Sequence, residues 1–389
     1  MNHRPFAVWA LVALAFVILV VPATAAPSQG AAQAFIVVLD DSANAPAVAS
    51  EHSRRHGVDV RMVYQHALKG YAGTIAEGSL GALAADGRVV SIERDGHVST
   101  ETIQSGATWG IDRIDQSNLP LSSTYSYTDT GTGVTAYVID TGIRASHSEF
   151  GGRASVGTDT VGDGQNGNDC NGHGTHVAGT LGGASYGVAK NVSIVAVRVL
   201  NCGGSGTWSG VIAGIDWVTA DHQPGERAVA NMSLGGGASS AVDQAVRNSI
   251  ADGVFYAVAA GNSKQDACRY SPARTAEAAT VGATTSSDVL ASYSNVGSCV
   301  DVNAPGSSIT SAWTGSNSAT NTISGTSMAS PHVAGAAALY LEDTAASPQT
   351  VRNALVANGS PVVQLSTKAL RAGTTNKLLY TSFMLDGSP

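Results

Sequence analysis

The chain has 389 residues, enough for two or three folded units of ordinary size. Hydrophobic residues make up 43% of it, charged residues only 13%, and 45 residues are Gly, which excludes a coiled coil or a charged disordered tail and favours a compact protein with many tight turns. The formal net charge is -8 and no basic run occurs, so we expect no nucleic-acid partner.

The first 26 residues have the pattern of a secretion signal. A short polar start, His3 and Arg4, precedes an uncharged apolar run from Phe6 to Val21. Pro22 ends this run, and Ala23-Thr24-Ala25 has the small-x-small form that signal peptidase accepts. The alternative is a membrane anchor, but a run of about 16 residues is shorter than the roughly 20 that span a bilayer. We therefore expect cleavage, export and an extracellular protein without a membrane anchor.

Residues 27–104 form a first block in which strand and helix patterns are mixed. The predicted elements are a strand at Ala34–Leu39, a helix at Val48–His56, strands at Val58–Tyr64 and Tyr71–Ile75, a helix at Gly78–Ala85 and a strand at Val89–Glu93. This mixture over about 75 residues predicts a small α+β domain. The block contains no Cys and no cluster of catalytic residue types.

From residue 105 onward, strand and helix patterns alternate. The predicted strands are Val134–Ile139, Ser193–Val199, Ala228–Met232, Val254–Ala259 and Ala279–Gly282. The predicted helices are His173–Leu181, Trp208–Thr219, Ser240–Ala251, Ser327–Leu341 and a last one that opens at Ser347-Pro348. This alternation predicts a three-layer α/β fold, with a largely parallel sheet and helices on both faces. Functional residues of such a sheet lie at the carboxyl ends of its strands.

Three segments of this second block carry the residue types that acyl transfer needs. Asp140 ends a strand pattern, His173 begins a Gly-rich helix, and Ser327 begins another helix after Gly325. A Ser hydroxyl becomes nucleophilic when a His takes its proton, and a buried carboxylate fixes the imidazole tautomer. The N-terminus of a helix also favours the negative charge that develops beside the Ser. We therefore predict a catalytic triad of Asp140, His173 and Ser327.

The order of the triad along the chain is Asp, His, Ser, which is that of subtilisin and differs from those of chymotrypsin and the α/β-hydrolases. The segments Val138–Gly142, Asn171–Thr180 and Gly325–His332 resemble the motifs of the subtilisin-like serine proteases, or subtilases. The flanking segments Trp109–Gln116 and Gly297–Asp301 are similar to the proteinase K-like and aqualysin-like branch. The resemblance covers about residues 105–383 and implies a secreted serine endopeptidase that acts on proteins and peptides.

The resemblance also implies roles for individual residues. Asn262 and the backbone N–H of Ser327 should donate hydrogen bonds to the oxyanion. Other residues should pair with the substrate backbone as an additional strand or border its side-chain pockets. These substrate-binding residues are Gly204, Ser205, Gly206, Trp208, Ser233, Leu234, Gly235, Ala260 and Gly261. Because neither Asp nor Glu occurs in residues 233–237 or 259–262, we expect a preference for an aliphatic or aromatic P1 residue.

The four cysteines lie in the second block, at Cys170, Cys202, Cys268 and Cys299. An even number in an exported chain favours two disulfides, and the spacing lacks the Cys-x-x-Cys pairs of a zinc site. The sequence alone allows three pairings. The resemblance implies Cys170–Cys202 and Cys268–Cys299.

The resemblance further implies structural Ca²⁺ at two places. Carboxylate and carbonyl oxygens are the ligands that Ca²⁺ prefers in proteins. One site would combine the Asp301 carboxylate with two backbone carbonyls, those of Ala276 and Ala278. The other would lie near the start of the second block, with the ligands Asp112, Asp115 and Gln116.

Residues 35–100 more loosely resemble the inhibitory propeptide of the subtilases. The first block could instead be a binding module, but its place between signal and protease favours an intramolecular chaperone and inhibitor, removed by a cut between Thr100 and Ser105. The predicted domains are therefore a signal peptide at 1–26, a propeptide at 27–104 and a peptidase at 105–389, and we expect the peptidase to be a monomer.

Two other functions stay open at this point. An esterase would carry Gly-x-Ser-x-Gly, whereas Ser327 lies in Gly-Thr-Ser-Met-Ala. A pseudoenzyme that acts as a binding protein would not need the three triad residues and Asn262, all of which are present. His176 is interpreted as a packing or hydrogen-bonding residue. Asp163 and Asp169 are interpreted as solvated loop carboxylates, with a role as metal ligands as the alternative.

Overall fold

The computed structural model describes residues 32–95 and 102–385, so the predicted signal segment 1–26 lies outside the described residues. The described residues divide into two compact units, residues 32–95 and residues 102–385. Within these two ranges, no helix is both long enough and apolar enough to cross a membrane.

The first unit is a four-stranded antiparallel sheet with two helices, all within residues 32–95. Its elements are β1 (Gln33–Leu39), α1 (Ala45–His56), β2 (Asp59–Tyr64), β3 (Lys69–Ile75), α2 (Glu77–Ala84) and β4 (Val89–Arg94). The strand order is β2-β3-β1-β4. Side chains of β1 alternate, and Phe35, Val37 and Leu39 share a buried core with Val48 of α1. The expectation of a small α+β domain is confirmed.

The second unit contains the elements of the second block. Its strands are β5 (Thr102–Ser105), β6 (Thr124–Tyr127), β7 (Val134–Asp140), β8 (Ala154–Asp159), β9 (Ser193–Arg198), β10 (Arg227–Met232), β11 (Gly236–Gly237), β12 (Val254–Ala259), β13 (Tyr270–Ser271), β14 (Ala279–Thr284), β15 (Val302–Pro305), β16 (Ile309–Ala312) and β17 (Thr320–Ile323). Its α-helices are α3 (Trp109–Ile114), α4 (His173–Gly182), α5 (Trp208–Asp221), α6 (Ser240–Asp252), α7 (Thr326–Asp343), α8 (Pro348–Asn358) and α9 (Thr367–Arg371).

Seven strands of residues 102–385 form one parallel sheet in the order β15-β14-β12-β10-β7-β9-β8. Side chains of β7 alternate between two cores: Ala136 and Val138 pack with α4 and α7, whereas Tyr137 and Ile139 pack with α5 and α6. Because both faces are covered, an interior strand such as β12 is buried along its whole length. The three-layer α/β fold is confirmed.

The two edge strands, β8 and β15, have no counterpart among the predicted strands. β8 reads Ala-Ser-Val-Gly-Thr-Asp and has no fully buried position, and β15 has only four residues and ends in Pro305. An edge strand is paired on one side only, so it tolerates polar residues and Pro, and its apolar pattern is weak.

Strand β5 bears on the predicted boundary after residue 104. Residues Thr102–Ser105 pair antiparallel with Thr124–Tyr127 of β6, so they pack with the second unit. The predicted cut lies between Thr100 and Ser105, and the first part of this segment is outside the described residues. The cut stays a prediction, because the packing of a segment does not show whether its peptide bond is cleaved.

Candidate active site

Asp140 and His173 are brought together by the end of one strand and the start of one helix. Asp140 is the last residue of β7 and is fully buried. Its Oδ1 accepts a hydrogen bond from Thr141 N at 2.7 Å and lies 2.8 Å from His173 Nδ1. His173 opens α4 directly after Gly172, which has a φ of +111° and lies so close to Trp313 that a Cβ would be 2.4 Å from its ring. Only Gly both adopts this positive φ readily and leaves room for the Trp313 ring.

The environment of His173 favours its protonated form. The His173 side chain is 25% exposed and that of Asp140 is 0% exposed. Burial by itself lowers the pKa of His173, but the negative charge of Asp140 and its hydrogen bond outweigh burial and raise the pKa above its ordinary value. The pair can therefore stabilise an imidazolium that forms during a reaction.

Asp169 organises the loop that leads into α4, a role that the sequence analysis missed. Its Oδ1 accepts hydrogen bonds at 2.9 Å from the backbone N–H groups of residues 171 and 172 and from Thr141 Oγ1. Its Oδ2 accepts from Thr175 N at 2.9 Å and from Thr175 Oγ1 at 2.6 Å. Thr141 Oγ1 in turn accepts from Gly174 N at 2.9 Å. The interpretation of Asp169 as solvated was wrong: its position before a helix start is typical of a carboxylate that caps backbone N–H groups.

Asp163 is held by a buried arginine. Arg198 lies opposite Asp140 in the register of β9 and β7 and is 0% exposed. Its guanidinium donates to Asp163 Oδ1 at 2.6 Å and Oδ2 at 2.8 Å, to Asp159 Oδ2 at 2.9 Å and to Thr141 O at 3.1 Å. These hydrogen bonds hold the pKa of the Asp163 carboxyl below its ordinary value. Asp163 is thus an ion-pair partner at the carboxyl edge of the sheet rather than a purely solvated side chain.

Ser327 is the second residue of α7, and its contacts depend on a proline one turn later. Pro331 has no N–H, so it cannot donate the usual helical hydrogen bond to Ser327 O. Ser233 Oγ donates to that carbonyl instead, at 2.8 Å. In return, Ser327 Oγ donates to Ser233 O at 3.2 Å. The predicted nucleophile is therefore tied to a predicted substrate-binding residue by two reciprocal hydrogen bonds.

Asn262 lies beside the start of α7 with its amide orientation fixed. Its Oδ1 accepts from Thr326 N at 2.8 Å and from Thr326 Oγ1 at 3.0 Å. A Cβ placed on Gly325 would lie 3.4 Å from Asn262 Nδ2 and 3.6 Å from Ser327 N. Both predicted oxyanion donors therefore border the same small space.

A cleft of about 510 Å³ contains most of the predicted substrate-binding residues. The predicted residues that line it, together with His173, are Gly204, Ser205, Gly206, Trp208, Ser233, Leu234 and Gly235. Trp208 lies against Gly236, where a Cβ would be 2.7 Å from the indole. Ala260 and Gly261 are not in its lining: Ala260 is buried, and Gly261 N donates to Thr326 Oγ1 at 3.0 Å. The lining residues include neither Asp nor Glu.

His176 has the structural role expected of it. It is fully buried, and its Nε2 lies 3.0 Å from Ile309 O and 3.2 Å from Asn321 O. Burial lowers the pKa of His176 to about 4, so the imidazole is neutral at pH 7 and donates from Nε2 to these carbonyls.

Both disulfides implied by the resemblance are present in residues 102–385. Cys170 is bonded to Cys202 with a Cα–Cα distance of 5.0 Å, and Cys268 to Cys299 with 5.4 Å. The first joins the loop before His173 to the loop that leads to the cleft residues 204–206. Arg198 Nη2 lies 3.5 Å from Cys170 Sγ, so the buried ion pair and the disulfide brace the same corner.

The two predicted calcium sites differ in their surroundings. Near α3, Asp112 accepts hydrogen bonds from Ser122 and Ser123, and Asp115 Oδ2 accepts from Ser126 N at 2.7 Å. Burial, with the charge of Asp112 adding to it, raises the pKa of Asp115 to about 6, and no described arginine or lysine donates to either carboxylate.

Gln116 points its amide Nε2 at two backbone carbonyls, those of Asn118 at 2.6 Å and Pro120 at 2.8 Å. The second site has different partners: Asp301 lies just before β15, Ala278 just before β14, and both contact Arg352. In residues 32–95 and 102–385, no group of three or more His, Cys, Asp or Glu side chains is arranged to hold a metal ion.

Each of the two units is similar to a known protein family. Residues 131–378 match the model described as "Subtilase family", and residues 34–101 match the one described as "Peptidase inhibitor I9".

Curated proteins are similar over most of the chain. An "Extracellular serine proteinase" of Thermus sp. (strain Rt41A) is 56% identical over 84% of this chain and 79% of that protein. An "Alkaline serine exoprotease A" of Vibrio alginolyticus is 53% identical over 84% of this chain and 61% of that protein, so the chain spans less than two thirds of its length. "Proteinase T" of Parengyodontium album is 53% identical over 64% of this chain and 85% of that protein.

A solved structure is also similar. "Crystal structure of a cold adapted subtilisin-like serine proteinase" has a TM-score of 0.66 and 57% sequence identity, and the match covers 71% of this chain and 99% of that one.

Proposed function

The chain belongs to the subtilase family of serine proteases, and on that premise we propose that it is an endopeptidase that hydrolyses peptide bonds through an acyl-enzyme on Ser327. The observation that carries the proposal is the 2.8 Å hydrogen bond between buried Asp140 and His173, at the carboxyl edge of the sheet. His173 also lines the cleft that holds the predicted substrate-binding residues.

His173 acts as general base and then as general acid. Asp140 accepts the hydrogen bond from Nδ1–H, which leaves Nε2 free to take the proton of the Ser327 hydroxyl. In the structure this hydroxyl donates to Ser233 O, so it has to turn toward Nε2 for the proton to be transferred. The proton then passes to the leaving amine, and water hydrolyses the acyl-enzyme by the reverse sequence.

Asn262 Nδ2 and Ser327 N stabilise the tetrahedral oxyanion. Asn262 is held by its Oδ1 contacts with Thr326, so the donor is oriented before the substrate arrives. Such a preorganised donor contributes roughly 10²–10³-fold to kcat.

The substrate lies extended between the segments 204–206 and 233–235. The glycines in these segments let a peptide backbone approach closely and form strand-like hydrogen bonds. Trp208, packed on Gly236, borders the cleft between the two segments. The lack of Asp and Glu in the lining supports a preference for aliphatic or aromatic P1 residues over Lys and Arg.

The first unit acts as an intramolecular inhibitor and chaperone until it is removed. Its match to the peptidase inhibitor family supports this role. Self-processing by Ser327 would cut between Thr100 and Ser105, and the segment 1–26 would direct export, in keeping with the name of the Thermus relative, an extracellular serine proteinase.

A structural Ca²⁺ ion would be held by Asp112, Asp115 and Gln116. Two carboxylates and an amide oxygen are a suitable donor set for this hard cation, and the pair has no arginine or lysine partner in residues 102–385. The ion would neutralise both carboxylates and fix α3 to the segment that precedes β6.

Intact mass of the secreted protein tests the proposal directly. Wild type and Ser327→Ala are expressed side by side, with Ser240→Ala, an exposed serine at the start of α6, as a matched control. We expect wild type and Ser240→Ala to be cut between Thr100 and Ser105, and Ser327→Ala to keep its first unit attached. Processing of Ser327→Ala like wild type would show that another protease makes the cut.

Two further assays separate the competing functions. Casein digestion distinguishes an endopeptidase from an esterase, because serine proteases also cleave esters. A serine-reactive phosphonyl reagent should label Ser327 in the processed protein and abolish digestion. A protein that is neither processed nor labelled at Ser327 would be a pseudoenzyme, and the proposal would fail.

A further inference from the structure

The side chain of Arg352 contacts two of the three groups expected to bind calcium at Asp301. Its Nη2 donates to Asp301 Oδ1, and its Nε donates to Ala278 O at 3.2 Å. The remaining oxygen of the carboxylate, Asp301 Oδ2, accepts from Thr280 N at 2.8 Å. Both carboxylate oxygens therefore already have a donor within the chain.

The position of Arg352 lets it join three elements at the amino-terminal edge of the sheet. It lies in α8, which is capped by Ser347 and packs through Val351 and Leu355 into the core. Asp301 and Ala278 precede the neighbouring parallel strands β15 and β14. The side chains of Arg352 and Asp301 are 20% and 13% exposed, so the ion pair is mostly removed from solvent.

A calcium ion and this guanidinium are incompatible in the same place. Ca²⁺ binds oxygen atoms at 2.3–2.6 Å and needs six to eight of them. An ion that bridged the Asp301 carboxylate and the Ala278 carbonyl would need the two oxygens to which Arg352 donates. One carboxylate balances one guanidinium, and adding a divalent ion would leave two unbalanced positive charges in a mostly buried site.

The predicted site near α3 provides the contrast. Asp112 and Asp115 form a carboxylate pair whose donors are serine N–H and O–H groups, with no cationic side chain on them in the described residues. The excess negative charge there is suited to a divalent ion, whereas at Asp301 it is already balanced.

We infer that the Arg352 guanidinium takes the place of the calcium ion expected at Asp301. The charge of Asp301 is then neutralised by a side chain of the protein itself, and the site binds no metal. Two of the predicted ligands, Asp301 and Ala278, then hold α8 against β14 and β15 independently of the calcium concentration. The inference does not depend on the triad, because it concerns the opposite edge of the sheet.

Calcium counting tests the inference, with Ser327→Ala as the background to prevent self-digestion. Bound Ca²⁺ per chain is measured by equilibrium dialysis and atomic emission. We expect Asp301→Asn to leave the count unchanged. Arg352→Met, which keeps an unbranched apolar side chain and removes the guanidinium, should raise the count by one, and adding Asp301→Asn to it should abolish that gain. A count that falls by one in Asp301→Asn, or that does not rise in Arg352→Met, overturns the inference.

Two controls and a thermal measurement complete the test. Arg247→Met removes a half-buried arginine of α6 that donates to Gln244, far from either predicted calcium site in the sequence, and should not change the count. Arg352→Lys keeps a positive charge at the site and should not gain an ion. Asp301→Asn should lower Tm equally in excess Ca²⁺ and in EDTA, because the lost partner is Arg352. A loss of Tm that occurs only in Ca²⁺ would identify Asp301 as a metal ligand and refute the inference.

Discussion

Ser233 and Ser327 exchange two hydrogen bonds: Ser233 Oγ donates to Ser327 O at 2.8 Å, and Ser327 Oγ donates to Ser233 O at 3.2 Å. The first bond exists because Pro331 cannot supply the helical N–H that would otherwise satisfy the Ser327 carbonyl. Ser327, the proposed nucleophile, is thereby fixed to the segment after β10 that we propose as part of the substrate cleft.

Ser233→Ala should destabilise the protein by about 1–3 kcal/mol, because it leaves the partly buried Ser327 carbonyl without a donor. It should also lower kcat, because Ser327 is then held by one hydrogen bond fewer. In a Pro331→Ala background, the restored N–H at residue 331 can donate to Ser327 O. Ser233→Ala should therefore lower the free energy of unfolding by less in this background than in wild type. Urea unfolding of the four combinations measures the coupling. Equal costs in both backgrounds would show that Pro331 does not create the need for Ser233.

Asp169→Asn should lower kcat roughly 10²-fold or less while the fold is retained. Asp169 accepts five hydrogen bonds in the loop that positions His173, and the amide nitrogen of Asn cannot accept those made to one of the two carboxylate oxygens. The negative charge of Asp169 also contributes to the raised pKa of His173, so the acid limb of the pH–kcat profile should move to lower pH. Asp266→Asn, a loop carboxylate that accepts from Cys268 N, is the matched control. A change in stability with an unshifted pH profile would mean that Asp169 does not act on His173.

Asp140→Asn should reduce kcat by roughly 10⁴-fold and shift the acid limb further. Activity needs neutral His173, so it rises as pH increases through the pKa of the imidazole. Burial lowers this pKa and Asp140 raises it above the ordinary value, so removing the charge leaves burial alone and the midpoint should fall. The pH dependence of kcat/KM on a peptide substrate measures the shift, and an unchanged midpoint would contradict the assignment. Asp221→Asn, which removes the charge of the carboxylate that accepts from the Tyr137 hydroxyl, should leave the midpoint in place.

Gly325→Ala should lower kcat roughly 10²–10³-fold with little change in KM, because the methyl group would occupy the space between Asn262 Nδ2 and Ser327 N. The backbone at Gly325 has a φ of 164°, which any residue adopts, so stability should be retained. In an Asn262→Ala background the methyl group should cost much less, since one donor is already gone. If the losses in kcat caused by Gly325→Ala and Asn262→Ala are additive, the methyl group does not act through the oxyanion site.

His176→Gln should flatten the pH dependence of stability in acid. Burial lowers the pKa of His176 to about 4, so between about pH 6.5 and pH 4 the unfolded chain binds a proton that the folded chain does not. Stability therefore falls as pH falls through this window, by at most about 1.4 kcal/mol per pH unit for one group. Urea unfolding of the Ser327→Ala chain at several pH values measures the slope. Burial also lowers the pKa of His332 to about 4, so His332→Gln is the second variant. If neither variant changes the slope of unfolding free energy against pH, the argument is refuted.

The sequence by itself determined the fold class, the two folded blocks and the family. Apolar runs such as Val254–Ala259 are long enough to identify strands covered on both faces, and the segments around Asp140, His173 and Ser327 are too specific to arise from packing alone. The edge strands β8 and β15 were missed because single-sided pairing demands little of their sequences.

Only the tertiary structure decided the roles of residues whose partners are distant in the chain. Asp169 caps backbone N–H groups close to it in the chain, and only the fold adds its contact with Thr141, 28 residues earlier, beside Asp140. Ser233 serves Ser327, 94 residues later, because Pro331 lacks an N–H. Arg352 has the appearance of an ordinary helical arginine until α8 brings it to Asp301, 51 residues away. Hydrogen-bond donors and charges act over a few ångströms, so their effect is fixed by which segments the fold brings together, which local sequence patterns do not encode.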